Sequence, residues 1–333
     1  KYRNLFLLFG VLAIVVMLCT MDMDYSDIWE NLKRVGFWFP VIMLLWFFVY
    51  LINTCSWYLI IRDDRKYRVP FWTVCKLSIT GFAINYATPG GLMGGEPYRI
   101  MELTPYVGVS KATSYVILYV MHIFSHFWFW FLSIFLYIFL YPVNTFMAIL
   151  LTAIGAFCLL AIYFFARGYK NGMTVKTFRF LQKVPFIKRW AHRFIVKQKD
   201  TLEQIDSQIA LLHSQHKITF YSSLLLELSA RIFSSLEIYI ILRVFTPEVS
   251  GWDCVLILAF SSLFSNLIFF FPMQLGAREG GLALAVDGLH LSPALGVYVG
   301  LITRLRELLW IAIGMVLIKV GNRKPADSPS SEC

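Results

Sequence analysis

The sequence predicts an all-α polytopic membrane protein, with six full spans and two re-entrant helical hairpins arranged as an inverted repeat. Three observations lead there. The 333 residues are 58% hydrophobic and 15% charged, with 30 Phe and 10 Trp, whereas a soluble domain is roughly half apolar and about a quarter charged. Apolar runs of about 20 residues, enough for a ~30 Å hydrocarbon core, recur along the chain. Between them stand two glycine-rich, charged breaks that share one spacing.

Residues 5–19 follow Lys1 and Arg3. No small-residue cleavage site comes after them, so a retained first helix is expected rather than a signal peptide. Residues 21–36 carry four acids and two bases. There Tyr25, Ile28, Trp29, Leu32 and Val35 recur at helical spacing, the pattern of an amphipathic helix on the outer surface. Further full spans are expected at 37–61, 112–140, 145–165, 219–245 and 293–317.

Loop charge orients them, because cytoplasmic loops are enriched in Lys and Arg. Residues 62–68 hold four bases, and residues 165–217 hold eleven against three acids. Lys319, Arg323 and Lys324 follow the last span. All three regions belong inside, and both termini are expected in the cytoplasm. Residues 141–144 and 246–251 contain no base and belong outside. The net charge is +10, of which 165–217 supplies +8. Val175, Phe178, Leu181, Phe186, Trp190 and Phe194 interleave with its bases, which fits an interfacial helix on anionic lipid and not a nucleic-acid site. Residues 1–320 are then one membrane domain and 321–333 a disordered tail. The six cysteines are scattered without metal spacing and read as small apolar fillers.

Residues 71–86 and 252–271 do not fit as spans. The first must enter from the inside and return, since 62–68 and the start of the 112–140 span are both inside. The second enters from the outside by the same logic. After the first comes Pro89-Gly90-Gly91-Leu92-Met93-Gly94-Gly95-Glu96-Pro97-Tyr98-Arg99, and after the second Pro272-Met273-Gln274-Leu275-Gly276-Ala277-Arg278-Glu279-Gly280-Gly281. In both, proline precedes glutamate by seven residues. Ser110-Lys111-Ala112 and Ser292-Pro293-Ala294 then follow at matching distances.

Pro89, Gly90, Gly91, Gly94, Gly95, Pro272, Gly276 and Gly280 are the hairpin backbone positions. An opened backbone at membrane depth is tolerated only against protein or a wet cavity. Broken helices at matching positions of two inverted halves point to a transporter's substrate site.

Charges in hydrocarbon call for an explanation. Arg99, Arg278 and Arg304 are candidate phosphate ligands, because a guanidinium gives two parallel charge-assisted bonds. Glu96 and Glu279 orient those guanidiniums, bind a cationic part of a headgroup, or exchange a proton; the sequence leaves these open. Glu96/Arg99, Glu227/Arg231 and Arg304/Glu307 also stand three or four apart, where a structural ion pair on one helix face is the competing reading. His122 and His126 have a spacing that suits a metal from one face. With no third ligand, packed histidines are expected and no metal or cofactor is.

The two motifs, in this order and followed by Arg304, resemble the lysylphosphatidylglycerol synthase transmembrane region family, which includes the flippase half of the bacterial multiple peptide resistance factor. The resemblance covers nearly the whole chain. It implies translocation of a polar-headgroup lipid between leaflets of a bacterial cytoplasmic membrane, with Glu96, Arg99, Arg278, Glu279 and Arg304 lining a cavity. The synthase domain does not appear after Val320, so the substrate is a phospholipid, glycolipid or polyprenyl-phosphate lipid made elsewhere. A homo-oligomer or a separate lipid-synthesising enzyme is a compatible partner. A headgroup transferase using Glu96, Glu279 or His122 as base, and a small-solute transporter, are the alternatives. Neither a nucleotide-binding loop nor an ATPase motif is present.

Overall fold

The computed structural model describes residues 33–63, 68–87, 94–121, 124–171, 207, 216–247, 249–267 and 277–319. Among these the regular structure is all helix, with no strand. The helices are α1 Trp38–Asp63, α2 Phe71–Ala87, α3 Gly95–Val107, α4 Val109–Met121, α5 Ser125–Leu140, α6 Thr145–Asn171, α7 Lys217–Phe245, α8 Gly251–Leu267, α9 Ala277–Asp287 and α10 Pro293–Lys319. The expected first span, most of 21–36, most of the basic 172–215 stretch, the tail, and Pro89, Gly90, Gly91, Pro272, Gly276 and His122 lie outside the described residues.

Among the described residues three stretches are long and apolar enough to cross a membrane: Trp38–Arg62, Val109–Leu140 and Thr145–Gly168. α7 and α10 are equally long, at 29 and 27 residues. They miss that standard through their charges, among them Glu227, Arg231 and Glu237 in α7 and Arg304, Arg306 and Glu307 in α10. α3 and α9, at 13 and 11 residues, extend only ~20 and ~17 Å, less than the ~30 Å of a hydrocarbon core.

Helix starts recur. Those of α1, α2, α3 and α4 at 38, 71, 95 and 109 are followed by those of α7, α8, α9 and α10 at 217, 251, 277 and 293, intervals of 179 to 184 residues. α1 and α7 run antiparallel, with Trp46 against Glu237 at one end and Ser56 against Ser223 at the other.

Of the four apolar clusters among the described residues, the two largest position the short helices. Trp57, Leu77, Tyr98, Leu103 and Val116 pack α1 to α4 together. Ile42, Ile238, Ile257, Leu282 and Val299 join α1, α7, α8, α9 and α10. α6 packs mainly on α5 and leaves Phe146, Ile149, Leu160 and Phe164 exposed, an apolar surface suited to lipid and not to water.

Small residues let the inner helices approach closely. A Cβ on Gly314 of α10 would lie 2.5 Å from the Ala83 Cβ of α2, and one on Gly296 would lie 2.6 Å from the Ala283 Cα of α9. α10 is thereby held against both short-helix pairs. Gly314→Ala should therefore lose about 1–3 kcal/mol by overpacking, seen as a lower Tm in detergent micelles. Gly155→Ala, whose Cβ meets only Ile134 Cδ1 at 3.5 Å, should leave Tm unchanged or raise it.

Candidate functional site

Asn85, near the end of α2, fixes the start of α3. Its Oδ1 accepts from the Gly95 N–H at 2.7 Å and its Nδ2 donates to Glu96 Oε1 at 3.0 Å. One amide thus satisfies an orphan donor of the helix N-terminus and places the first-turn carboxylate, where the helix dipole favours it. One turn on, Arg99 lies back across α2. It donates to Leu77 O at 3.3 Å, Ser78 O at 3.4 Å and Glu96 Oε1 at 3.3 Å. Its guanidinium lies 5.0 Å from the Tyr119 ring centre and 5.7 Å from that of Trp57, within cation–π range. Gly81 leaves room beneath it: a Cβ there would lie 2.2 Å from Arg99 Nε and displace the guanidinium from its carbonyls. Arg99 is thus engaged internally and staples α3 antiparallel to α2.

The second group sits where α9 runs antiparallel to α10. Arg278 pairs with Glu307, and Glu279 receives Arg304 Nε at 2.7 Å and Nη2 at 3.4 Å. Gly300 leaves room for Glu279, whose Cγ would be 3.1 Å from a Cβ there. Arg306 forms a fork on Glu237 of α7, Nε to Oε1 at 2.9 Å and Nη2 to Oε2 at 3.0 Å. Trp46 Nε1 donates to the same carboxylate at 2.8 Å, and its ring lies 3.6 Å from the Arg306 guanidinium carbon.

Glu307 links the two groups. It accepts from Tyr86 Oη of α2 at 3.2 Å, pairs with Arg278 of α9, and has Arg306 Nη2 at 3.6 Å. The last full turn of α2 and the first turn of α9, each beside one of the charged breaks, meet there. Side chains of Glu96, Arg278 and Glu279 remain 19%, 20% and 27% exposed, whereas Arg304 and Glu307 are both at 2%. Glu96 Oε2, Glu307 Oε2 and Arg306 Nη1 are buried without a hydrogen-bond partner, so the site has capacity for further polar contacts.

Of the pairs expected within single helices, Glu96–Arg99 forms. Arg304 and Glu307 instead turn to Glu279 and Arg278, because the antiparallel α9 sets those neighbours opposite them. Glu227 and Arg231 do not pair either: Arg231 donates to Ser125 Oγ at 3.0 Å and contacts His126. Among the described residues no cluster could hold a metal. Sequence reasoning passed over Asn85, Tyr86, Trp46, Glu237 and Arg306. Glu237 and Arg306 were detectable by the same signal as Glu227 and Arg304, a charge inside a predicted span; the neutral residues gave none.

Residues 6–314 match the family described as the Lysylphosphatidylglycerol synthase TM region. No curated protein and no solved structure matches the chain.

Arg306→Met leaves Glu237 buried without its cation and should cost about 3–5 kcal/mol. The double variant Glu237→Gln/Arg306→Met should recover most of that loss. Unfolding in mixed micelles, run as a double-mutant cycle, measures the difference; additive losses would mean that the pair is not coupled.

Proposed function

Because this chain belongs to the lysylphosphatidylglycerol synthase transmembrane region family, an integral membrane domain, we propose that it moves a polar-headgroup lipid between leaflets without altering it covalently. The observation that carries this reading is the meeting of the end of α2 and the start of α9 at Glu307. Arg306, next to it, is thirteen residues from either end of α10, ~20 Å at helical rise and so near mid-depth of a span. A charged centre at that depth, reached from two helix breaks, is the architecture of an alternating-access substrate site. The recurring helix starts, with the equivalent α1 and α7 antiparallel, support two inverted halves and re-entrant α2–α3 and α8–α9 pairs.

The chemistry follows from charge balance. Glu96, Glu237, Glu279 and Glu307 offset Arg99, Arg278, Arg304 and Arg306, so the resting centre is neutral and tolerable in hydrocarbon. A headgroup phosphate takes the place of Glu307 on Arg278, the partly exposed arginine of the set, exchanging one anion for another. Tyr86 and Arg306 keep Glu307 compensated while it is displaced. Arg304 and Arg99 position the two hairpins, and Glu96 and Glu279 receive any cationic part of the headgroup. The substrate class is a phospholipid, glycolipid or polyprenyl-phosphate lipid supplied by a separate enzyme. The membrane is the bacterial cytoplasmic one, with both termini inside and anionic lipid under the basic 165–217 segment.

Proteoliposomes carrying a fluorescent short-chain phosphatidylglycerol test this. Arg278→Ala should slow its movement between leaflets at least about tenfold, equivalent to about 1.4 kcal/mol of barrier, and Glu96→Gln should slow it as well. Gly155→Ala should match the wild type. Equal rates in all four would overturn the proposal, and covalent conversion of the probe would establish a transferase instead.

A further inference from the structure

Glu227, in α7, stands in the interior with no cation in salt-bridge contact, although Arg231 lies near enough to act on its charge. Glu227 is 7% exposed, and its Oε1 has no hydrogen-bond partner. Glu96, Glu237, Glu279 and Glu307 each have a guanidinium in salt-bridge contact. The Ser56 hydroxyl is the one hydrogen-bonding side chain that faces Glu227 among the described residues; the charged groups near it have their hydrogen bonds elsewhere. From α1, the Ser56 hydroxyl is shared between the Glu227 carboxylate and Ser223, the latter at 2.9 Å. From α3, Arg99 is held by Leu77, Ser78 and Glu96, and from α4 the Tyr119 ring lies against Arg99. On α7 itself Arg231 is turned toward α5, onto Ser125 and His126. α10 brings its cation, Arg306, to Glu237 ten residues along α7, and the acid of α8, Asp253, accepts from Tyr141.

An ionised carboxylate with an empty acceptor position in such surroundings is strongly disfavoured, whereas the acid form is neutral and gains a donor. Arg231 is four residues along α7, on the face where it can reach the carboxylate once released.

We propose that Glu227 is a proton-binding site: it holds a proton in this conformation and releases it when Arg231 leaves Ser125 and His126 to pair with the carboxylate. The step breaks the Glu227 O–H bond, passes the proton to water, and leaves a Glu227–Arg231 ion pair. His126 and Ser125 lose their Arg231 contacts to water. The interior charge falls by one, and uptake and release of that proton on opposite sides of the membrane would tie it to one conformational cycle. This coupling rests on the lipid-movement reading above; the proton site itself does not.

Two measurements test it. Difference infrared spectra of the full chain in phosphatidylglycerol nanodiscs should show a protonated-carboxyl stretch near neutral pH that vanishes at alkaline pH and is absent from Glu227→Gln. A band that survives in Glu227→Gln, or no band at all, overturns the site. Should that variant not assemble, Arg231→Gln should keep the band to higher pH than wild type, and an unchanged titration overturns the exchange.

In proteoliposomes, a gradient of one pH unit should shift the distribution of the fluorescent phosphatidylglycerol by up to about tenfold for one proton per lipid. Glu227→Gln should remove that shift; a shift it retains refutes the coupling. If wild type moves no probe, the lipid-movement reading fails, while the infrared band still decides the proton site.

Discussion

A carboxylate at the middle of a membrane-length helix must be compensated by the protein itself, and Glu307 meets that demand by drawing three partners from three directions. Tyr86 comes from α2, Arg278 from α9, and Arg306 from the preceding position of α10. Water in hydrocarbon is not available to share the charge, so the partners are fixed by the cost of separating them. α10 therefore becomes the axis on which both short-helix pairs are mounted. Its glycines serve the same end, since Gly314, Gly296 and Gly300 let α2 and α9 come near enough for these side chains to meet.

The α2–α3 and α8–α9 pairs use similar parts differently. In the first, the arginine of the motif is folded inward onto backbone carbonyls, and the carboxylate Glu96 stays at the margin. In the second, the corresponding glutamate is bound by an arginine from α10, and its neighbour Arg278 remains partly open. The start of α3 thus offers an acid to the shared space and the start of α9 an arginine beside an acid. Such an asymmetric pair suits a headgroup whose phosphate and remaining polar atoms differ in charge.

Much of this was legible in the sequence. Composition and run length marked the long helices: the expected spans at 37–61 and 145–165 correspond to α1 and α6, and 219–245 and 293–317 to α7 and α10. The coincidence of glycine, proline and charge marked the segments beside Glu96 and Arg278. What periodicity could not supply was partner choice. Residues three or four apart on a helix look like a pair until a neighbouring helix offers a better-placed charge, as α9 does for Arg304 and Glu307. Nor does helical spacing show that Arg99, a candidate phosphate ligand, also reaches carbonyls of α2 that close α2–α3 packing over Gly81 brings within range. The neutral supports Asn85, Tyr86 and Trp46 carry no signature in a sequence already rich in aromatic residues.

The central claim is that a lipid headgroup occupies the space where the end of α2 and the start of α9 meet α10. Photo-crosslinking of the chain in nanodiscs, with a phosphatidylglycerol carrying a diazirine on its headgroup and the adducts mapped by mass spectrometry, tests it most directly. The account predicts adducts on the end of α2, the start of α3, the start of α9 and the middle of α10, reduced by unlabelled lipid. Adducts confined to the outward face of α6 and the helix ends, unaffected by competitor, would contradict it.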